Sequence, residues 1–472
     1  MLLLRTLSRS SLAAGFAAAV FLLVCGLTPR PVFPADDGSQ VPVDSAAVLA
    51  DSLGRAAGHG PPDSAGTADT LCADSAAGPL PAREEIPEPD SLPPALSVDS
   101  VTAPIDTLSG AGIPAPLQEE TDTVFSEPQS DNPLALRYNG IYISGATAGI
   151  RRKVEEFIDS VRGTVVGGFV IDMKDDHGRL SYTSSLPLAA EIGANTRRLR
   201  DPAGLVEELH GHGLIACARV VAFKDPLLAG HAAGDSTWPY AVLDSATGAP
   251  WEQDNGELWA NPYDERVHDY LLGIIGELIS FGFDQIQLDY TRFPTDGKIG
   301  HCWYPVTIDS LNRADVMRLF LSKVSRTLEG SRVSLAVDVF GWVPWLHKDR
   351  NYWIGQDYDM IAEHADVVCP MLYPSHFPRE FKAEYKEKRA YSIVREGTLK
   401  GIRRRGSRST GVQPYIQGFK WRAPSFGSRY ILDQMRAAKE SGAVGWILWN
   451  ASNNYAPLWK ALKDERDEIE AE

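Results

Sequence analysis

The sequence predicts an α/β protein whose main domain is a (β/α)8 TIM barrel, preceded by an export or anchor segment and a disordered linker. Three observations carry this. From residue 133 onward, short β-rich runs alternate with amphipathic helical stretches, eight of each. Each strand-like run ends in polar residues, which a TIM barrel gathers at one mouth. A doubly wound open sheet is the competitor, but the first βα turn lacks the G-x-G-x-x-G that a dinucleotide-binding sheet carries there.

The 472 residues divide into three parts: 1–34, 35–132 and 133–472. In the first, Arg5 and Arg9 precede an apolar run from Leu12 to Leu27. The run is short against the roughly 20 apolar residues of a membrane span. It reads as a signal peptide, with an uncleaved anchor or a lipid-modified Cys25 as alternatives, and each places the remainder outside the cytoplasm. The second part is rich in Ala, Ser, Pro, Gly and Asp and has no tryptophan or tyrosine. Such a segment cannot bury enough apolar surface to offset its ordering entropy, so it reads as an acidic spacer or a partner-binding tail. The net charge of -16 argues against a nucleic-acid partner. Five scattered cysteines with no C-x-x-C pair give neither a zinc knuckle nor a disulfide framework.

In the third part the strand-like runs are Gly140–Ser144, Gly167–Asp175, Leu214–Phe223, Phe283–Pro294, Ser334–Trp342, Val367–Ser375, Gly411–Phe419 and Gly445–Ser452. Helical spacing joins Val154, Phe157, Ile158 and Val161, and again Leu205, Val206 and Leu209 after an Asp201–Pro202 start signal. Further stripes are Val316, Leu319, Phe320 and Val324, then Ile431, Met435 and Ala438 before Gly442. The longest insertion, 224–261, carries Trp238, Tyr240, Trp251 and Trp259.

The fourth run is the most informative. Side chains alternate along a strand, so Gln285, Gln287 and Asp289 share a face, and polar residues facing inward make sense where the strand opens into a pocket. Glycosidases generally need two carboxyl groups. Asp289 and Asp338 end neighbouring strands, and strands lie about 4.8 Å apart, close to the roughly 5–5.5 Å of a retaining pair. Asp172, two strands from Asp289, fits a longer inverting separation or a supporting role. The catalytic candidates are therefore Asp289, Asp338 and Asp172. The sugar-orienting candidates are Arg219, Gln287, Arg292, Tyr373, His376, Gln417, Trp449 and Asn450. Asp175 and Asp225 read as loop-fixing, and His210 and His212 as surface residues. Aromatic faces suit pyranose rings, and all eleven tryptophans lie beyond residue 237.

At these residues the chain resembles a known family, the glycosyl hydrolase domain of bacterial secreted proteins. The matching pieces are Phe169–Gly178, Ala218–Ala229, Trp259–Tyr263, Gly282–Pro294, Asp338–Gly341, Ile354–Gln356, Pro370–His376, Gln413–Gln417 and Gly445–Asn450, in order. The resemblance implies a TIM barrel related to the alpha-amylase-like hydrolases. Two departures separate it from better-known enzymes. Thr291 stands where the chitinase strand has its acid glutamate, and strand seven lacks the closing aspartate of the alpha-amylases.

The expected function is cleavage of glycosidic bonds in a cell-envelope or extracellular polysaccharide, without cofactor or metal. The alternatives are a non-catalytic polysaccharide-binding barrel, a Schiff-base lyase using Lys174, and a metal site from Asp172, Asp176 and His177.

Overall fold

A computed structural model describes residues 132–471, apart from 234–236, 309, 347–353, 379–380, 382–387 and 406–408, and describes side chains only as far as 463. The expected export segment and all but Asn132 of the expected linker lie outside the described residues.

Eight parallel strands close into a barrel. They are β1 (Asn139–Ile143), β2 (Val166–Lys174), β3 (Ile215–Val221), β4 (Gln285–Asp289), β5 (Ser334–Phe340) and β6 (Val367–Met371). β7 follows in two pieces, Gly411–Val412 and Tyr415–Gln417, and β8 is Ile447–Trp449. Each strand pairs with the next, and β8 returns to β1 through Gly140↔Ile447. The two pieces of β7 arise because Pro414 cannot donate to the ladder.

A main helix follows each strand, with short extra α-helical turns after the first three: α1 (Arg151–Val161), α2 (Pro202–Gly211), α3 (Glu265–Ser280), α4 (Arg313–Leu328), α5 (Tyr358–His364), α6 (Arg389–Arg405), α7 (Ser428–Glu440) and α8 (Ala456–Ala471). Their starts are chemically marked. Asp201, Asp264, Asn312 and Asp357 each accept a backbone N–H of the first turn. In α1 the buried face is the expected one. In α4 the buried stripe uses Met317 and Leu321, while Leu319 is half-buried. A large apolar layer between strands and helices holds the barrel together.

The barrel interior is partly polar. Tyr138 Oη donates to Gln285 Oε1 at 2.8 Å, and Gln285 Nε2 donates to Ser334 Oγ at 3.1 Å. Tyr415 Oη donates to Gln287 Oε1 at 2.8 Å, and Gln287 Nε2 reaches Cys369 Sγ at 3.2 Å. Buried amides are tolerable only when paired, so both glutamines are spent on the barrel's centre. This corrects the expectation that the whole polar face of β4 opens into a pocket: only its last member, Asp289, reaches one.

The insertion after β3 and the segment after β4 meet in a two-residue antiparallel pair, Leu243↔Trp303 and Asp244↔Cys302. Trp251 and Trp259 are buried, and their indole N–H groups donate to Lys298 O at 3.1 Å and Gln253 Oε1 at 3.0 Å. These rings pack the loops rather than face solvent.

Candidate active site

At the C-terminal mouth of the barrel lies a cavity of about 330 Å3. Its wall includes Asp172, Arg219, Asp289, Asp338, Arg292, Tyr373, His376 and Trp449, drawn from six of the strands or the segments that follow them. Strand register explains the convergence. Asp172 lies beside Arg219 and Arg219 beside Gln287, one layer below Asp289. The long Arg219 side chain therefore reaches up and sideways. Its guanidinium donates through Nη1 to Asp172 Oδ1 and through Nη2 to Asp289 Oδ2. Tyr142 Oη donates to the second oxygen of Asp172 at 2.5 Å, and the second oxygen of Asp289 accepts the Tyr290 N–H at 2.6 Å. Tyr290 itself has φ of 51°. That is uncommon for a bulky residue, and such geometry concentrates at functional sites.

Asp338 occupies the neighbouring strand. Leu288 pairs with Val337, so Asp289 and Asp338 are the next residues along adjacent strands. Asp338 is 1% exposed, and among the described residues neither carboxyl oxygen has a well-formed hydrogen bond, with the Cys369 thiol close by as a weak donor. Burial, and then the charge of Asp289, raise its pKa well above the usual carboxylate range, against the pull of Arg219. That environment disfavours the ionised form of Asp338. Burial also pushes Asp172 up to about 6, opposed by Arg219 and by the Tyr142 hydrogen bond. Burial works against the charge of Arg219, but Asp172 and Asp289 outweigh it and hold the guanidinium ionised.

Arg292 is 2% exposed, and its guanidinium sits over the rings of Phe340, Trp259 and Tyr290 at 4.3–4.9 Å. An aromatic wall faces it: the Trp449 ring lies 5.7 Å from Tyr142 and 6.0 Å from Tyr373, and His376 lies 5.3 Å from Tyr373.

Three of the expected sugar contacts are not in the wall. Gln287 lies beneath it. Gln417 accepts from Ser375 N and Tyr430 Oη and donates to the carbonyls of Phe419 and Trp421. Asn450 donates to the carbonyls of Gly418 and Asn454 and accepts from Ser452. Their polar groups are spent on tying loops together. Lys174, the expected Schiff-base lysine, is fully buried, 2.8 Å from Asp225 and donating to Val221 O at 2.8 Å. It is not part of the cavity wall, so its amine is not presented to a carbonyl substrate there. Asp176 is held by Lys224 at 3.3 Å, and among the described residues no three His, Cys, Asp or Glu side chains gather as a metal site. Asp175 accepts the His177 and Arg179 N–H groups and pairs with Arg198, fixing its loop.

Tyr142, Tyr290, Gln356 and Arg179 also line the cavity but were not among the site candidates. Tyr142 was legible, since it lies near the C-terminal end of the first strand-like run, Gly140–Ser144. Arg179 comes from a loop that no strand pattern reaches.

Carboxyl groups gathered at the C-terminal mouth of a closed parallel barrel stand where TIM-barrel active sites lie. The chain belongs to the family described as "Putative glycosyl hydrolase domain", whose model matches residues 140–455. The glycoside hydrolase domain of PgaB (BpsB) from Bordetella bronchiseptica is similar in structure, with 13% identity over 70% of this chain and 98% of that one, at a TM-score of 0.51. A hypothetical protein from Ruminiclostridium thermocellum is 28% identical over 42% of this chain and 97% of its own, at a TM-score of 0.35. An endo-beta-1,4-mannanase from Thermotoga petrophila gives 11% identity, 71% and 77% coverage, and a TM-score of 0.46. No protein of curated function matches the sequence.

Proposed function

We propose that this protein hydrolyses glycosidic bonds in a cell-envelope or extracellular polysaccharide, outside the cytoplasm. The observation that carries the reading is the pairing of an oriented carboxylate, Asp289, with a buried carboxylic acid, Asp338, on the next strand of one cavity. Asp338 donates its proton to the departing glycosidic oxygen. Asp289, steered by Arg219 and the Tyr290 N–H, attacks the anomeric carbon. Neighbouring-strand spacing of about 4.8 Å supports the short carboxyl separation of a retaining reaction. Asp172 balances Arg219 when Asp289 becomes an ester, so that the guanidinium is never left without a carboxylate. Trp449, Tyr373 and His376 offer faces to the sugar ring.

The test is release of reducing ends from a broad panel of envelope and extracellular glycans, with proton NMR of the first product for its anomeric form. Hydrolysis with retained configuration is expected. A wild-type protein that binds a glycan and releases no reducing ends from it would instead be a polysaccharide-binding barrel.

A further inference from the structure

The charges of the cavity do not cancel one another residue by residue. Asp172 and Asp289 share Arg219, Asp175 takes Arg198, and Asp176 and Glu257 share Lys224. Burial and the charge of Asp289 disfavour ionisation of Asp338. Two guanidiniums in the wall make no ion pair among the described residues. Arg179 is exposed, and no acceptor for its side chain occurs among the described residues. Arg292 is the more telling. It is 2% exposed, yet no carboxylate lies within ion-pair distance of it among the described residues. Its Nη1 donates to Phe293 O at 3.0 Å and to Thr295 Oγ1 at 3.1 Å. Among the described residues its Nε and Nη2 have no acceptor, and the residue lines the cavity.

A buried cation without an ion pair is costly to the free protein, even with Asp296, Asp289 and Glu257 near enough to favour its charge, and arginine stays ionised even when burial lowers its pKa, as it does here. Three aromatic rings hold the guanidinium flat against the wall. What remains open is a pair of N–H donors on a fixed plane, the geometry that receives a carboxylate or sulfate through two parallel hydrogen bonds.

We propose that Arg292 is a specificity residue, holding the anionic group of an acidic sugar, a carboxylate or a sulfate ester, within the cavity that carries Asp289 and Asp338. This rests on the glycosidase reading for the reaction but not for the binding. Arg179 at the exposed edge extends the same preference to the rest of the chain.

The experiment uses the full-length protein and matched glycans: polyuronate oligosaccharides, their methyl esters, sulfated oligosaccharides and neutral counterparts. Binding is measured calorimetrically with the Asp289→Asn variant and hydrolysis with wild type. The expected result is a preference for an acidic glycan over its neutral counterpart of about 10- to 100-fold, the scale of one buried charge-assisted contact. Preference for uronates or for sulfated chains identifies which anion is read. Arg292→Gln should collapse the acid-to-neutral ratio, and Arg292→Lys should retain part of it, with thermal unfolding of both checked first. Equal binding of acidic and neutral glycans, an unchanged ratio in folded Arg292→Gln, or no binding of any acidic glycan overturns the proposal. Acid-selective binding without cleavage leaves it standing and removes the glycosidase reading. Cleavage confined to neutral glycans does the reverse.

Discussion

Asp289 and Asp338 end neighbouring strands of one barrel, and the fold treats them oppositely. On the β2–β3–β4 side every carboxylate oxygen is engaged: Asp172 by Arg219 and Tyr142, Asp289 by Arg219 and a backbone N–H. On the β5 side neither oxygen of Asp338 has a well-formed hydrogen bond among the described residues, and burial raises its pKa. Environment, not residue identity, sets the pKa of a carboxyl group, so one residue type can serve two roles.

The sharpest way to break this contrast is to alter its ion-paired half. Asp289→Asn keeps the shape and a partner for Tyr290 N–H but removes the nucleophile. Turnover on any cleaved glycan should fall by about 10,000-fold or more, the scale seen when a nucleophile is deleted, while calorimetric affinity survives. If the variant keeps more than a few per cent of wild-type turnover, Asp289 is not the attacking group.

Removing the other half should cost less and cost it selectively. Asp338→Asn should slow glycans with poor leaving groups by about 100- to 10,000-fold, the contribution of a general acid. Aryl glycosides with acidic phenols, which leave without protonation, should be slowed far less. A linked sign follows for stability. The folded protein holds the Asp338 proton more tightly than the unfolded chain does. Stability is therefore lost as pH rises from the ordinary carboxylate range through the raised folded pKa. An amide cannot ionise, so Asp338→Asn should gain Tm relative to wild type as pH is raised to 8, measured by scanning calorimetry. A variant that loses stability equally at pH 5 and pH 8 would contradict a protonated Asp338.

The architecture was readable from sequence because it depends on periodicity. The eight strand-like runs and the caps at Asp201 and Gly442 correspond to observed elements, since alternation and capping act over a few residues. The convergence of Asp172, Arg219, Asp289 and Asp338 followed from their places at strand ends. What sequence could not divide was the polar face of β4. Gln287 and Asp289 share a side and differ by one layer, but only the barrel's stagger decides which is roofed by Tyr415 and which meets the cavity. The loop amides were equally illegible. Gln417 and Asn450 look like sugar ligands until their backbone partners, brought close only by the closed fold, are seen.

A smaller effect refines the charged side. Asp172 is pushed up to about 6 by burial, so below that pH it protonates and leaves Arg219 to Asp289 alone. Activity should rise through about pH 6 as Asp172 ionises, then fall at higher pH as Asp338 gives up its proton. Asp172→Asn should erase the lower limb while keeping the upper one. Loss of both limbs together would mean that the carboxyl groups titrate as one inseparable unit.

The smallest change tests whether a buried amide outside the cavity acts through the wall. Gln417 makes four hydrogen bonds that join the turn before His376 to the segment carrying Phe419 and Trp421. Gln417→Leu keeps the bulk and strands those partners without water. Each buried group left unpaired costs about 1–3 kcal/mol, so a Tm loss of several degrees is expected. Because the His376 ring packs against Trp421 at 5.3 Å, the loosened turn should raise KM more than it lowers kcat, since Asp289 and Asp338 stand on other strands. An equal fall in kcat with unchanged KM would instead place Gln417 in the chemistry, a role its four backbone and side-chain partners leave it no free atom to perform.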